Sequence, residues 1–417
     1  MKLPSPNLNL NIGRRSGADV VGLDIQPGFI AAVRAKVNGS IAAERAATIA
    51  LAADAMRDGE VLDEEALADA LRELFAAGGL GKRVRVGVAN QRTVLRILEL
   101  PPVTDAKELA AAVTFQAQDQ VPMPLNNAVL DFHPLGVIDT PAGPRQRVVL
   151  VAAQRDMVER LLAAVRRAGL TPEGVDLSAF ALIRSLYRPE AEQTGRVLYL
   201  NVDGLTNLAI AEGTVCRFTR VVGSGLEGMA SELAERRGIA LIDARARLAE
   251  ADLDAPQSVA ESPFAPEFPV APEGSVVEPA PGVEPSGPYE TPEEFQAHES
   301  ELSYEELAAT PLAESAAPQA SDADVWTVLD NGIRELSGEV RNSLDFHRSQ
   351  EGGGEVSHVV LSGAAQDIPG FASALANLLG VEVRPADVGV VAGGLESDIS
   401  PHRLAVATGL AAVEAPR

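Results

Sequence analysis

The stretch VVGLDIQPGFIAAVRAKVNGSIAAERAATIA, residues 20–50, predicts three β-strands joined by two tight turns. The first strand ends at Gln26-Pro27-Gly28. The second ends at Asn38-Gly39, a pair that supplies the positive φ values of a type I′ hairpin turn. The chain therefore opens as a hairpin sheet. The first strand is apolar and carries an acid, Asp24, near its end, which places a carboxylate beside the first turn.

A helix and a further strand follow this sheet. Residues 63–77, DEEALADALRELFAA, place apolar side chains at helical spacing after a capping Asp63, and Gly78-Gly79 stops the helix. Residues 83–89, RVRVGVA, then alternate as a strand does. We therefore assign residues 18–92 to a first lobe.

The opening pattern recurs in the second half of the chain. From Arg196, the segments VLYLNVD, LAIAEG and TVCRFTRVV predict a second hairpin series with a turn at Asp203-Gly204. A helical stretch over 226–251 follows it. Further along, the sequence predicts an amphipathic helix, a short buried strand and another helix, at 325–347, 358–363 and 368–379. We expect a second lobe made of residues 189–253 and 323–417, with a packed C-terminal helix of that lobe at its end.

Residues 93–188 predict a compact unit between the two hairpin series. The order is a strand, a helix over 105–120, two strands and a helix over 156–168. We expect this unit to be an inserted α+β subdomain.

Residues 255–321 differ from the rest of the chain in composition. They hold thirteen Glu, twelve of the 28 prolines and no Asp, Lys or Arg, so they carry −13 of the net charge of −24 and leave −11 elsewhere. This composition predicts a disordered insertion over 254–322, and the polar residues 1–17 predict a disordered tail. Within the insertion, Thr291–Leu307 is either a solvated tether or a docking motif.

The composition also argues against several classes of function. The negative charge disfavours nucleic-acid binding. A single cysteine, Cys216, excludes an intramolecular disulfide, and the five scattered histidines offer no recognisable metal site. Because no run of 18 apolar residues exists, we expect a cytoplasmic protein without direct membrane insertion.

Three short segments carry a resemblance to the actin-like superfamily. They are residues 24–28, 203–206 and 361–364: two acids at the ends of apolar strands, and a late strand that ends in Ser-Gly. The resemblance implies an α/β, actin-like (ribonuclease H-like) fold whose two lobes close on ATP and Mg²⁺. Backbone N–H groups would bind phosphates, and carboxylates would hold the waters of the cation. The implied cofactor-binding residues are Asp24, Gly28, Asp203, Gly204, Thr206, Ser362 and Gly363, with Asp24 and Asp203 at the metal.

The segments between these places resemble the PilM family of type IV pilus assembly proteins, within the actin-like and FtsA-like ATPases. The matching segments are residues 96–101, 120–122, 130–132, 149–153, 168–170, 175–181, 361–363 and 368–371. The resemblance implies a cytoplasmic platform, peripheral to the inner membrane, that binds the N-terminal peptide of a PilN-like membrane protein. The peptide groove is expected near the helix 105–120 of the inserted subdomain. Other pilus platform and motor components, and self-association into rings, are implied as further partners.

Departures from the family pattern predict weak or lost ATP binding and no catalysis. The first phosphate loop of the family usually reads Asp-Ile-Gly-Ser-Ser, whereas here Pro27 has no N–H to offer a phosphate. On the helix expected near the nucleoside, Ala244-Arg245 and Leu248 stand where the family has Ala-Glu and a Lys. Ala364 replaces a glycine that would let the backbone approach the ligand.

Two other functions remain open from the sequence. An ATP-dependent enzyme such as a sugar kinase would need a general base, for which Asp131 and Asp176 are available. An FtsA-like polymer would need a basic, aromatic C-terminal helix, whereas residues 403–412 are small and nearly neutral.

Overall fold

The computed structural model describes residues 20–38, 40–189, 195–255, 322–350, 352–395 and 399–412. The expected tail 1–17 lies outside these residues, and so does almost all of the acidic segment 254–322. Gly39 of the Asn38-Gly39 turn also lies outside them.

Within the described residues, strands and helices alternate along the chain much as the sequence predicts. The strands are β1 (Val21–Gln26), β2 (Phe29–Asn38), β3 (Ser40–Ala50), β4 (Met56–Arg57), β5 (Glu60–Val61), β6 (Arg83–Val88), β7 (Val94–Leu100), β8 (Ala128–Thr140), β9 (Gly143–Gln154), β10 (Thr171–Leu177), β11 (Arg196–Val202), β12 (Thr206–Glu212), β13 (Val215–Val222), β14 (Val356–Ser362), β15 (Val383–Pro385) and β16 (Gly389–Val390). The helices are α1 (Glu64–Gly78), α2 (Ala106–Gln120), α3 (Arg155–Arg167), α4 (Ser178–Leu186), α5 (Leu226–Arg237), α6 (Leu241–Ala249), α7 (Asp322–Ser349), α8 (Phe371–Leu379) and α9 (Ala405–Ala411).

The first lobe is built on a six-stranded sheet in the order β10-β6-β1-β2-β3-β16. Its strand β1 is buried along its whole length, pairing antiparallel with β2 and parallel with β6. Helices α1 and α3 pack on each other beside this sheet. Asp63 caps α1 by accepting hydrogen bonds from the backbone N–H groups of Glu65 and Ala66, which confirms the start of this helix.

The second lobe is built on a five-stranded sheet in the order β13-β12-β11-β14-β15. Helices α5, α7 and α8 enclose one core with it. The helical stretch expected over 226–251 is two helices, because Gly238 ends α5 in the left-handed region at φ 61°. Likewise, α8 begins at Phe371 rather than 368, after Pro369 and a left-handed Gly370.

A third sheet, β7-β9-β8, carries α2 on one face and forms the inserted subdomain. Its own core includes Leu98, Leu109 and Leu150. The range expected for the subdomain, 93–188, extends too far toward the C-terminus. Strand β10 pairs with β6 of the first sheet, and α4 packs on β12 of the second, so the separate sheet ends with β9.

The assignment of the C-terminal helix α9 to the second lobe is wrong. This helix packs on β1 of the first sheet and on α4. Gly22 allows the close approach because it has no side chain. A Cβ at this position would lie 1.9 Å from the carbonyl oxygen of Ala407. Arg85 holds the end of the helix by donating to the carbonyls of Leu410 at 2.8 Å and Ala412 at 3.1 Å. Helices α4 and α9 therefore join the two lobes.

Candidate functional site

A cavity of about 480 Å³ lies between the lobes, where the turn between β1 and β2 meets the turn between β11 and β12. Helices α5 and α6 and the short 3₁₀ helix Ala364–Asp367 complete its wall. Most of the lining is apolar, including Phe29, Ile49 and Leu248. The actin-like resemblance of the sequence predicts a nucleotide in this cleft.

Asp24, expected at the metal, is buried at the end of β1 and is 2% exposed. Its Oδ2 accepts a hydrogen bond from the side-chain amide of Gln26 at 2.9 Å. Burial raises the pKa of Asp24 to about 7, and the nearby Asp203 adds to the rise. Asp24 is therefore largely protonated below neutral pH, and it is not one of the residues that line the cavity.

Asp203, the second acid expected at the metal, lines the cavity and already has three partners. Its carboxylate accepts from the backbone N–H of Ala364 at 2.8 Å and from the amide of Asn201 at 3.0 Å. The Nε of Arg403 lies 3.7 Å from Oδ1. Burial raises the pKa of Asp203, although Arg403 and the two donors oppose the rise.

Gly28 and Gly204 bring the two lobes into contact. A Cβ on Gly204 would lie 2.2 Å from the carbonyl oxygen of Pro27, so the two turns touch. Gly28 has a left-handed φ of 81°, and a Cβ there would lie 2.9 Å from Oε2 of Glu227 and 3.0 Å from Nη2 of Arg245. Only glycine fits at either position without displacement of its neighbours.

Glu227 and Arg245 form a two-point ion pair at the edge of the cavity. The Nε of Arg245 donates to Oε2 of Glu227 at 2.8 Å, and Nη2 donates to the other carboxylate oxygen. The side chains are 18% and 22% exposed, so the pair is partly shielded from water. Sequence reasoning singled out Arg245 only as a departure from the family and did not find Glu227.

The remaining predicted cofactor-binding residues make contacts within the second lobe. Thr206 donates its hydroxyl to the carbonyl of Ser224 at 2.6 Å, and Ser362 donates to Oδ1 of Asn201 at 2.9 Å. A Cβ on Gly363 would lie 2.5 Å from the carbonyl oxygen of Val202, so this glycine permits close backbone packing. Of the seven residues, Gly28, Asp203 and Gly204 line the cavity.

A histidine beside the cavity was not found from the sequence. His402 lies 2.7 Å from Asp367 through Nε2 and 3.3 Å from Asp387 through Nδ1. Burial alone would lower the pKa of His402, but the two carboxylates raise it above its ordinary value. The imidazolium therefore neutralises Asp367, an acid that lines the cavity.

The charged groups that line the cavity already face partners within the chain. The arginines of the described lining, Arg245 and Arg403, already face Glu227 and Asp203. Pro27 offers no N–H and its carbonyl oxygen points at the facing turn. Among the described residues, no group of three or more His, Cys, Asp or Glu side chains could hold a metal ion.

The two acids considered as a kinase base have other partners. Asp176 is paired with Arg184 and also accepts from the backbone N–H of Leu177 at 2.8 Å. Asp131 accepts from the N–H of Phe132, and burial raises its pKa to about 6. Neither acid lines the cavity between the lobes. The two acids that the sequence offers as a base therefore lie outside the described lining of this cavity.

Comparison with known proteins identifies the family. A sequence model of the family described as type IV pilus assembly protein PilM matches residues 22–254, more than half of the 417-residue chain. The chain belongs to the PilM family. Every helix in the part of this PilM family member that the structure describes is too short or too polar to span a lipid bilayer.

A solved structure agrees with this assignment at the level of fold. A PilM–PilN type IV pilus biogenesis complex is similar with 23% identity and a TM-score of 0.67, covering 94% of this chain and 97% of that one. The ethanolamine utilization protein EutJ from Carboxydothermus hydrogenoformans reaches 12% identity and a TM-score of 0.46, covering 96% and 91%. The first match shows the fold of this PilM family member, the two-lobed actin-like α/β fold.

Proposed function

We propose that the chain is a cytoplasmic platform protein of a type IV pilus, or of a related type II secretion machine. In this proposal it binds the cytoplasmic N-terminal peptide of a PilN-like inner-membrane protein through its inserted subdomain. The observation that carries the proposal is the family match over residues 22–254, because that range contains the whole of the β7-β9-β8 sheet and α2. The membrane is reached through the partner.

The outer face of α2 supports the subdomain as the docking surface. The inner face of this helix is buried, with Leu109 and Val113 in the core of the subdomain. On the outer face, Phe115 is 71% exposed, and the exposed Ala111 and Gln118 lie beside it at i−4 and i+3. An exposed aromatic ring, with the exposed Asp119 at i+4, is a suitable anchor for a partner peptide of positive charge, because aromatic side chains dominate the energetics of interfaces.

Charge complementarity supports a peptide from a membrane protein. Cytoplasmic segments next to a membrane span carry an excess of Lys and Arg. The chain carries a net charge of −24, so its field attracts such a segment and raises the rate of encounter.

In the same proposal, ATP binding is weak or lost and the chain has no catalytic role. The support is the set of contacts in the cleft: Arg403 faces Asp203 at 3.7 Å, and Arg245 is paired with Glu227. Calorimetric titration of the full chain with ATP and Mg²⁺ tests this part. We expect no saturable heat of binding at micromolar ligand, and saturable binding there would contradict it.

Peptide binding is tested by fluorescence anisotropy. A labelled peptide is made from the N-terminal cytoplasmic residues of a PilN-like protein, with a scrambled peptide of the same composition as the control. We expect saturable binding of the native peptide and much weaker binding of the scrambled one. Equal binding of the two peptides would show that the interaction depends on charge alone. That result would contradict a platform that recognises the peptide sequence.

A further inference from the structure

The turn between β1 and β2 of the first lobe sits inside a socket of the second lobe. One wall of the socket is Gly204, which the carbonyl oxygen of Pro27 approaches. The other wall is the Glu227–Arg245 ion pair, which lies so close to Gly28 that a Cβ there would come within 2.9 Å of Glu227 and 3.0 Å of Arg245. The turn thus lies between Gly204 and the ion pair, at the edge of the cavity between the lobes.

We propose that Pro27–Gly28 and the Glu227–Arg245 pair form an interlobe clasp that holds the two lobes closed in place of a bound nucleotide. This inference rests on the weak-ATP part of the proposed function, and it is independent of the partner peptide.

The ion pair is suited to act as a rigid half of the clasp. Glu227 lies in the first turn of α5, and Arg245 lies on α6, so both side chains belong to the second lobe. Two parallel hydrogen bonds fix the guanidinium against the carboxylate, which leaves a flat surface of defined position. Gly28 fits this surface because it has no side chain and adopts a left-handed φ of 81°.

A second contact between the lobes lies beside the clasp. The guanidinium of Arg403 stacks 3.9 Å from the centre of the Phe29 ring in the first lobe. The same group lies 3.7 Å from Asp203 in the second lobe. Arg403 therefore places a positive charge of the chain itself between Phe29 of the first lobe and Asp203 of the second.

Interlobe distance, measured by pulsed electron paramagnetic resonance, tests the clasp. Spin labels are attached to Ala76→Cys on α1 and Asn342→Cys on α7, two exposed sites on opposite lobes, in a Cys216→Ala background. The full chain is measured with and without ATP and Mg²⁺. The clasp variant is Glu227→Ala/Arg245→Ala, the charge-swapped variant is Glu227→Arg/Arg245→Glu, and the control removes the exposed α7 pair Asp330–Arg334.

We expect the distance distribution of the parent chain to be the same with and without ATP and Mg²⁺. The clasp variant shifts to longer and broader distances, the charge-swapped variant returns toward the parent, and the α7 control matches the parent. A parent distribution that shortens on addition of ATP and Mg²⁺ would overturn the clasp, and so would a clasp variant identical to the parent. Failure of peptide binding in the anisotropy experiment leaves these distances unaffected, so the two proposals fail separately.

Discussion

Gly204 and Pro27 touch across the cleft, because a Cβ on Gly204 would lie 2.2 Å from the carbonyl oxygen of Pro27. The two residues belong to turns of different lobes, one between β11 and β12 and the other between β1 and β2. Contact between these turns leaves the cleft with a mostly apolar cavity and with charged groups that are paired within the chain.

Gly204→Ala should destabilise the chain by about 1–3 kcal/mol, since the added methyl must push the two turns apart. The control is Gly338→Ala in α7, where a Cβ has no neighbour within 4 Å. There we expect a gain of about 0.5–1 kcal/mol, because alanine is a better helix former than glycine. Urea unfolding of both variants gives the comparison, and an unchanged stability of Gly204→Ala would contradict the contact.

Asp24 should make stability fall as the pH rises toward neutrality. Its pKa in the folded chain is about 7 against an ordinary 3.8, so between these values the folded state holds a proton that the unfolded state has lost. Through this group, each rise of one pH unit in this window lowers the free energy of unfolding of the wild type by up to about 1.4 kcal/mol. Asp24→Asn should therefore be more stable than the wild type at pH 8 and close to it at about pH 4. Urea unfolding of both chains at both pH values measures this difference in stability. A difference that does not change with pH would contradict the buried proton.

His402 should also make stability fall as the pH rises, in a higher pH window. Because Asp367 and Asp387 raise its pKa, its contribution is fully present below the ordinary value of 6.5 and is lost as pH rises through the raised value. His402→Gln should cost about 1.5–3 kcal/mol at pH 6, the range for hydrogen bonds to charged groups, and less at pH 9. The exposed His133 supplies the matched control, His133→Gln, for which we expect no such difference.

Local patterns predicted the elements of this fold well. Asp63 begins α1 and Asp105 begins α2 as expected, because a capping side chain bonds to N–H groups only two and three residues ahead. The acids Asp24 and Asp203 are at the ends of β1 and β11, where the apolar runs stop.

Long-range contacts were the part that the sequence did not reveal. Arg403 reaches Asp203 from 200 positions further along the chain, and His402 reaches Asp367 from a separate segment. Glu227 looked like an ordinary acid in the first turn of a helix, and only the position of α6 makes it the partner of Arg245. The small residues of α9 fit either lobe by composition, so the side that it covers followed from the packing at Gly22.

Phe115 on α2 tests the proposed platform most directly. Phe115→Ala is compared with Phe346→Ala, a change at another exposed helical phenylalanine, 54% exposed on α7 of the second lobe. Anisotropy titrations with the PilN-like peptide measure both dissociation constants for full, folded chains. We predict that Phe115→Ala weakens binding about tenfold or more, while Phe346→Ala changes it by less than about twofold. Equal effects of the two variants, or no binding of the peptide by the folded wild-type chain, would contradict docking through the inserted subdomain.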